Sequence, residues 1–135
     1  MTDDFSNAVN ERLKFIATEG LKDVADWLQL EILAKIAIPV EYTTGPRGGI
    51  IVIRSEPGEP PRYEFGTLFN SIVVGPVIEQ SGTMLSISVE TDYKVAAYLN
   101  EGTEDGRLAK RPFWPTDDEM EERAPEITSL LSARF

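Results

Sequence analysis

The apolar residues near the start of the chain fall on one helical stripe, which constrains the fold more than any other feature. Val9, Leu13 and Ile16 recur at helical spacing, and Leu21, Ala25, Leu28, Ile32 and Ile36 continue the run. The spacing predicts a helix over residues 5–36. The stripe is about one face wide, so the helix must lie on something rather than be buried all round. Gly20 interrupts it and marks a kink or a break between two helices, since a central Gly costs about 1 kcal/mol against Ala. Pro39 ends the segment and pushes Ile38 towards extended geometry.

Residues 40–44 and 50–54 are rich in β-branched side chains, with a glycine-rich run at 45–49 between them. This reads as a hairpin with a five-residue loop whose tip carries Pro46 and Arg47. The Pro/Gly/Glu stretch at 55–62 holds no regular structure and reads as an arm that includes Pro60, its prolines favouring extended forms. Residues 70–79 and 84–91 form the next strand pair, joined around Ser81 and Gly82. Leu85, Ile87 and Val89 alternate with Ser86, Ser88 and Glu90, as in a strand packed on one side.

A short helix is expected at 93–99 and a last one at 116–134. Thr116 and Glu119 have capping-box spacing, and Asp117 and Asp118 suit the positive end of the helix dipole. Pro125 kinks this helix or restarts it, with Ile127, Leu130, Leu131 and Phe135 as the apolar face beyond. The sum is one α+β domain over residues 1–135. A long N-terminal helix packs on an antiparallel sheet of about four strands, with a short helix and a C-terminal helix beside it. Leu28 and Ile87 are the expected core markers of that packing.

A chain of 135 residues with 41% hydrophobic content suffices for a real core. It has no cysteine and no histidine, so disulfides, thiolate metal sites and a Ser-His nucleophile at Ser71 or Ser81 are excluded. The start, with Asp3 and Asp4, does not read as a signal peptide, and no apolar stretch reaches the length of a membrane span. A net charge of -10 argues against dedicated nucleic-acid binding and favours solubility. The glycine-rich run lacks the ending of a phosphate loop. Asp117, Asp118, Glu119, Glu121 and Glu122 diverge around a helix and read as capping and solvation rather than a metal site, and Glu59 and Glu64 lie in a loop without a partner motif. No cofactor and no metal ligand set is expected.

Residues 95–115 read VAAYLNEGTEDGRLAKRPFWP. A short helix stops at Gly102-Thr103, where a left-handed residue would end it. A charged loop at 103–110 follows, expected to be mobile because only Leu108 anchors it. Pro112 and Pro115 bracket Phe113 and Trp114. Phe113 suits a buried position under the sheet; Trp114 serves equally as a core or a contact residue. Lys110 and Arg111 form a small basic spot, suited to an inter-subunit salt bridge or to simple solvation.

This arrangement resembles the tail-completion, or head–tail joining, proteins of long-tailed bacteriophages of the lambda type. The resemblance rests on Ala96, Tyr98, Leu99, Gly102 and Thr103, on Arg111, Pro112 and Phe113, on a Pro-Gly-Glu-Pro-Pro segment at 57–61, and on Gly66, Thr67, Leu68, Ser71 and Ile72. The family's Thr-Gly order is reversed at Gly66-Thr67, and its acidic-aromatic pair is Asn100-Glu101 here.

The resemblance implies a virion structural protein without catalytic activity. It implies a ring of about six subunits at the junction between capsid connector and tail tube, assembled in the host cytoplasm. DNA would pass through without specific binding. Contacts with sister subunits and with neck and tail-tube proteins are expected at Pro46, Arg47, Pro60, Arg111 and Trp114, with Gly66, Leu68, Gly102, Thr103, Pro112 and Phe113 as framework. Two other classes stay open on the residues alone: a small carboxylate- or metal-dependent enzyme, and a monomeric intracellular module that captures a peptide by its sheet edge.

Overall fold

The computed structural model describes residues 2–81 and 84–135, with side chains from Asp4 onward. The fold is α+β. Helix α1 (Thr2–Ile36) is followed by strands β1 (Glu41–Thr44) and β2 (Ile50–Ile53), helix α2 (Thr67–Ser71), strands β3 (Val73–Val74), β4 (Ile78–Ser81), β5 (Met84–Ser86) and β6 (Val89–Glu90), and helices α3 (Lys94–Glu101), α4 (Asp117–Glu122) and α5 (Ala124–Ser132). The turn expected around Ser81 and Gly82 falls, at Gly82 and Thr83, outside the described residues.

The strands form three two-stranded ladders, β1–β2, β3–β6 and β4–β5, in place of one sheet of about four. The long third strand foreseen at 70–79 begins inside α2 and is then interrupted by Gly75 and Pro76, and proline has no N–H to give a ladder. A register shift between Glu79 and Ser81 further shortens the β4–β5 pairing. Ile87 lies between β5 and β6, half-buried, and Leu28 is also half-buried; neither is a core marker. The first hairpin has the foreseen form: Tyr42 pairs with Val52 and Thr44 with Ile50, around the loop 45–49. That loop closes by Gly45 N–H donating to Gly49 O at 2.7 Å.

The chain, expected as a single domain, divides into two compact units. The first comprises Met1–Leu28, Val74–Val89 and Thr116–Phe135. Here α1 runs through Gly20 without a break. Gly20 is buried, and a Cβ there would meet Leu131 Cδ2 of α5 at 3.3 Å. The glycine is a notch for the C-terminal helix, a need that only the tertiary partner reveals. Arg134 holds Asp23 through two parallel hydrogen bonds of 2.7 and 3.1 Å, and this pairing lowers the Asp23 pKa. The Arg123 guanidinium sits over the Trp27 ring at 4.8 Å. Lys14 pairs with Glu79 of β4, joining helix to hairpin. Ala25 is the buried apolar residue of this unit among the described residues, while Val9 and Leu13 on the same stripe stay exposed. Thr116 caps α4, accepting from Glu119 N–H at 3.2 Å, and Pro125 opens α5 as a fresh helix. Phe135, expected on the apolar face, is exposed.

The second unit comprises Gln29–Val73 and Glu90–Pro115. Its core is Ile32, Ile36, Val40, Ile72, Ala96 and Phe113. Gln29 Nε2 donates to Ile72 O at 2.9 Å and so satisfies a carbonyl at the end of α2. Backbone bonds from Val40 N–H to Tyr63 O and from Tyr63 N–H to Ile38 O tie the end of α1 to the chain before α2. Ser71 and Thr91 share a 2.6 Å hydroxyl contact, and Thr91 Oγ1 accepts from Tyr93 N–H at the start of α3.

Candidate functional site

The three sequence motifs converge in the second unit, each held by a distinct local device. Gly66 precedes α2 with φ 79°, and a Cβ there would lie 2.7 Å from the Tyr63 hydroxyl. Only glycine combines that backbone with so close a ring. Tyr63 in turn meets Phe69 edge-on, with centroids 5.5 Å apart. Leu68 is half-buried in α2 beside them.

Gly102 ends α3 as foreseen, with positive φ 77° but an extended ψ of 176°, so it lies outside the left-handed helical basin. Its N–H donates to Tyr98 O at 2.8 Å. The loop 103–110, expected to be loose, closes on itself. Thr103 Oγ1 donates to Asp105 Oδ1 at 2.7 Å and accepts from Leu108 N–H at 3.0 Å. Asp105 Oδ1 also accepts from Arg107 N–H, and these bonds, the Thr103 one foremost, lower the Asp105 pKa.

The arm 55–62 is likewise tied down. Ser55 and Pro61 are buried, Pro60 is half-buried, and Gly58 N–H donates to Lys110 O at 2.8 Å. Arg111 is an internal clamp rather than part of a free basic spot. Its N–H donates to Leu99 O, its Nε to Ser55 Oγ at 3.0 Å and its Nη2 to Ser55 O at 2.9 Å. Phe113 is 1% exposed, as expected. Trp114 is half-buried and meets the Phe113 ring edge-on at 6.1 Å. Asn100 Oδ1 accepts from both Phe113 N–H and Trp114 N–H, at 3.1 and 3.0 Å. Pro112 is exposed.

The five expected contact residues are therefore not one cluster. Pro46 and Arg47 stand exposed at the hairpin tip, the length of the β1–β2 ladder away from the end that leads to Ser55. Ser55 and Tyr63 belong to no motif in the sequence, and Asn100 stands where the resemblance shows a departure. No sequence signal marks Ser55.

Between these devices lies a cleft of about 360 Å³, lined among others by Arg54, Arg62, Tyr63, Phe65, Leu68 and Arg111. Arg54 reaches Glu64 through two bonds of 2.9 Å, and Arg62 lies 3.8 Å from Glu41. Phe65 is 83% exposed. Arg111 has no carboxylate partner among the described residues.

Among the described residues no group of three or more His, Cys, Asp or Glu side chains is placed to hold a metal ion, and no helix is long and apolar enough to cross a membrane. Comparison with family models, with curated proteins and with solved structures finds no match.

Proposed function

We propose that the chain is a non-enzymatic structural subunit of a long-tailed phage virion, working by assembly into a ring of about six copies at the head–tail junction. The observation that carries assembly is the first hairpin. Tyr42 is 64% and Ile50 78% exposed, and Ile51 and Ile53 on the alternate face are exposed too. A two-stranded ribbon with apolar residues open on both faces is marginal alone in water. Such surface marks an interaction site, and its strand edges offer backbone groups to a neighbour. The phage assignment rests on the ordered resemblance carried by Gly66, Gly102-Thr103 and Arg111-Pro112-Phe113.

The test is native mass spectrometry of the purified chain, with complementation of a phage lacking the gene. Expected are a closed ring and, without the gene, heads and tails that fail to unite. Normal infectious particles in its absence would sink the reading. The second reading, a monomeric peptide-binding module, is favoured by the outer edge of β2, which carries no further strand among the described residues. A chain that stays monomeric at all concentrations yet binds extended peptides would establish it.

A further inference from the structure

We propose that the arginine-lined cleft of the second unit receives the acidic segment Asp117–Glu122 of a second copy of this chain. The inference rests on the ring reading above and names the contact that closes it.

The cleft is electrostatically anomalous. The chain carries 13 Lys and Arg against 23 Asp and Glu. Yet Arg54, Arg62 and Arg111 line the cleft with Glu64 as the one carboxylate on its wall. Arg54 pairs with Glu64 and Arg62 lies 3.8 Å from Glu41 beyond the wall, which leaves Arg111 as the cleft cation without a carboxylate among the described residues. Arg111 is held ready by Ser55, and a guanidinium offers five N–H donors, more than Ser55 and Ala109 use. Tyr63, Phe65 and Phe69 supply apolar wall. At about 360 Å³ the space suits a few side chains of a docked segment.

The complementary surface is in the same sequence. In α4, residues 117, 118, 121 and 122 are all exposed and carboxylate-bearing. At 100° per residue they cover one arc of roughly 140°. Glu119 points away to its cap on Thr116. No cation pairs with Asp117, Asp118, Glu121 or Glu122 among the described residues, and the last turn of α4 has no basic residue. Like charges at i, i+4 repel, so a facing set of arginines lowers a cost that this helix otherwise bears. Met120 brings an apolar side chain within the same segment. A cleft on one unit and an acidic helix on the other are different patches of one chain, so the contact is heterologous and head-to-tail, the kind that closes rings.

The test is charge reversal in the full chain, read by sedimentation and native mass spectrometry. Arg54→Glu with Arg62→Glu leaves the Arg111 clamp in place. Asp118→Lys with Glu122→Lys changes exposed positions only. Each pair should weaken self-association at least about tenfold. A chain carrying both pairs should regain it, and so should an equal mixture of the two single-pair variants. Wild-type assembly should weaken with salt. A ring that tolerates both reversals overturns the cleft contact while leaving the ring reading intact. If the wild type forms no ring, a labelled peptide spanning residues 116–123 still decides. Binding to the wild-type chain that is lost on cleft reversal upholds the contact and sinks only the ring; absence of binding overturns the contact.

Discussion

Arg111 and Ser55, 56 positions apart in sequence, are joined by two hydrogen bonds from one guanidinium, to the Ser55 hydroxyl at 3.0 Å and to its carbonyl at 2.9 Å. Ser55 is the buried polar residue among those described. A charged donor on a buried group contributes about 1.5–3 kcal/mol. Arg111→Lys cannot reproduce the fork and should lower stability by that order. Ser55→Ala should cost about 1–3 kcal/mol by leaving the Nε donor unmet. Urea unfolding midpoints check both; unchanged midpoints would mean the clamp is idle.

Gly102→Ala should be among the worst small substitutions in the chain. Its φ of 77° with ψ 176° is a glycine-only region, and strain there costs about 1–3 kcal/mol. A Cβ would also stand 3.0 Å from Leu108 O and 3.1 Å from Lys110 N, both rigid backbone atoms. Thermal unfolding of the variant should fall by several degrees. Gly48→Ala shares the positive φ but has open space around it, so it should cost less.

Phe113→Ala should destabilise by about 3–5 kcal/mol, the range for a buried aromatic truncation. Trp114 is half-buried on its neighbour's ring, so Trp114→Ala should unfold the chain less and weaken assembly more. Calorimetry and sedimentation on the same pair separate the two effects. Equal losses in both assays would place Trp114 in the core alone.

The Asp105 carboxylate is held below its ordinary value of 3.8, first by the Thr103 hydroxyl and then by the Arg107 N–H. A lowered native pKa makes a contribution that is complete above 3.8 and lost as pH falls through the native value. Loop 103–110 should thus loosen in acid. Carbon-detected titration should place the Asp105 midpoint under 3.8, and Thr103→Val should bring it back towards 3.8. A midpoint unmoved by that change would remove the hydroxyl from the account.

Local signals in the sequence carried well. The α1 stripe, the hairpin around residues 45–49, the Thr116–Glu119 cap and the restart at Pro125 are each decided within a few residues. What stayed hidden depends on distant partners. Gly20 looks like a breaker until Leu131 is beside it. The arm and the loop look loose by composition, because composition is blind to Gly58 meeting Lys110 or Thr103 meeting Asp105. The cleft draws Arg54, Arg62 and Arg111 from separate segments with no shared motif.

The open strand Ile50–Ile53 has a consequence for the free protein. It is a short, uncharged, β-branched run with exposed side chains, the material of edge-to-edge aggregation. The net charge of -10 holds free copies apart, and that repulsion is screened by salt. Ionic strength therefore acts in opposite directions on two kinds of association. It loosens the contact proposed between arginine cleft and acidic helix while releasing the disordered pairing of strand edges, so low ionic strength is where that contact would form ahead of edge pairing.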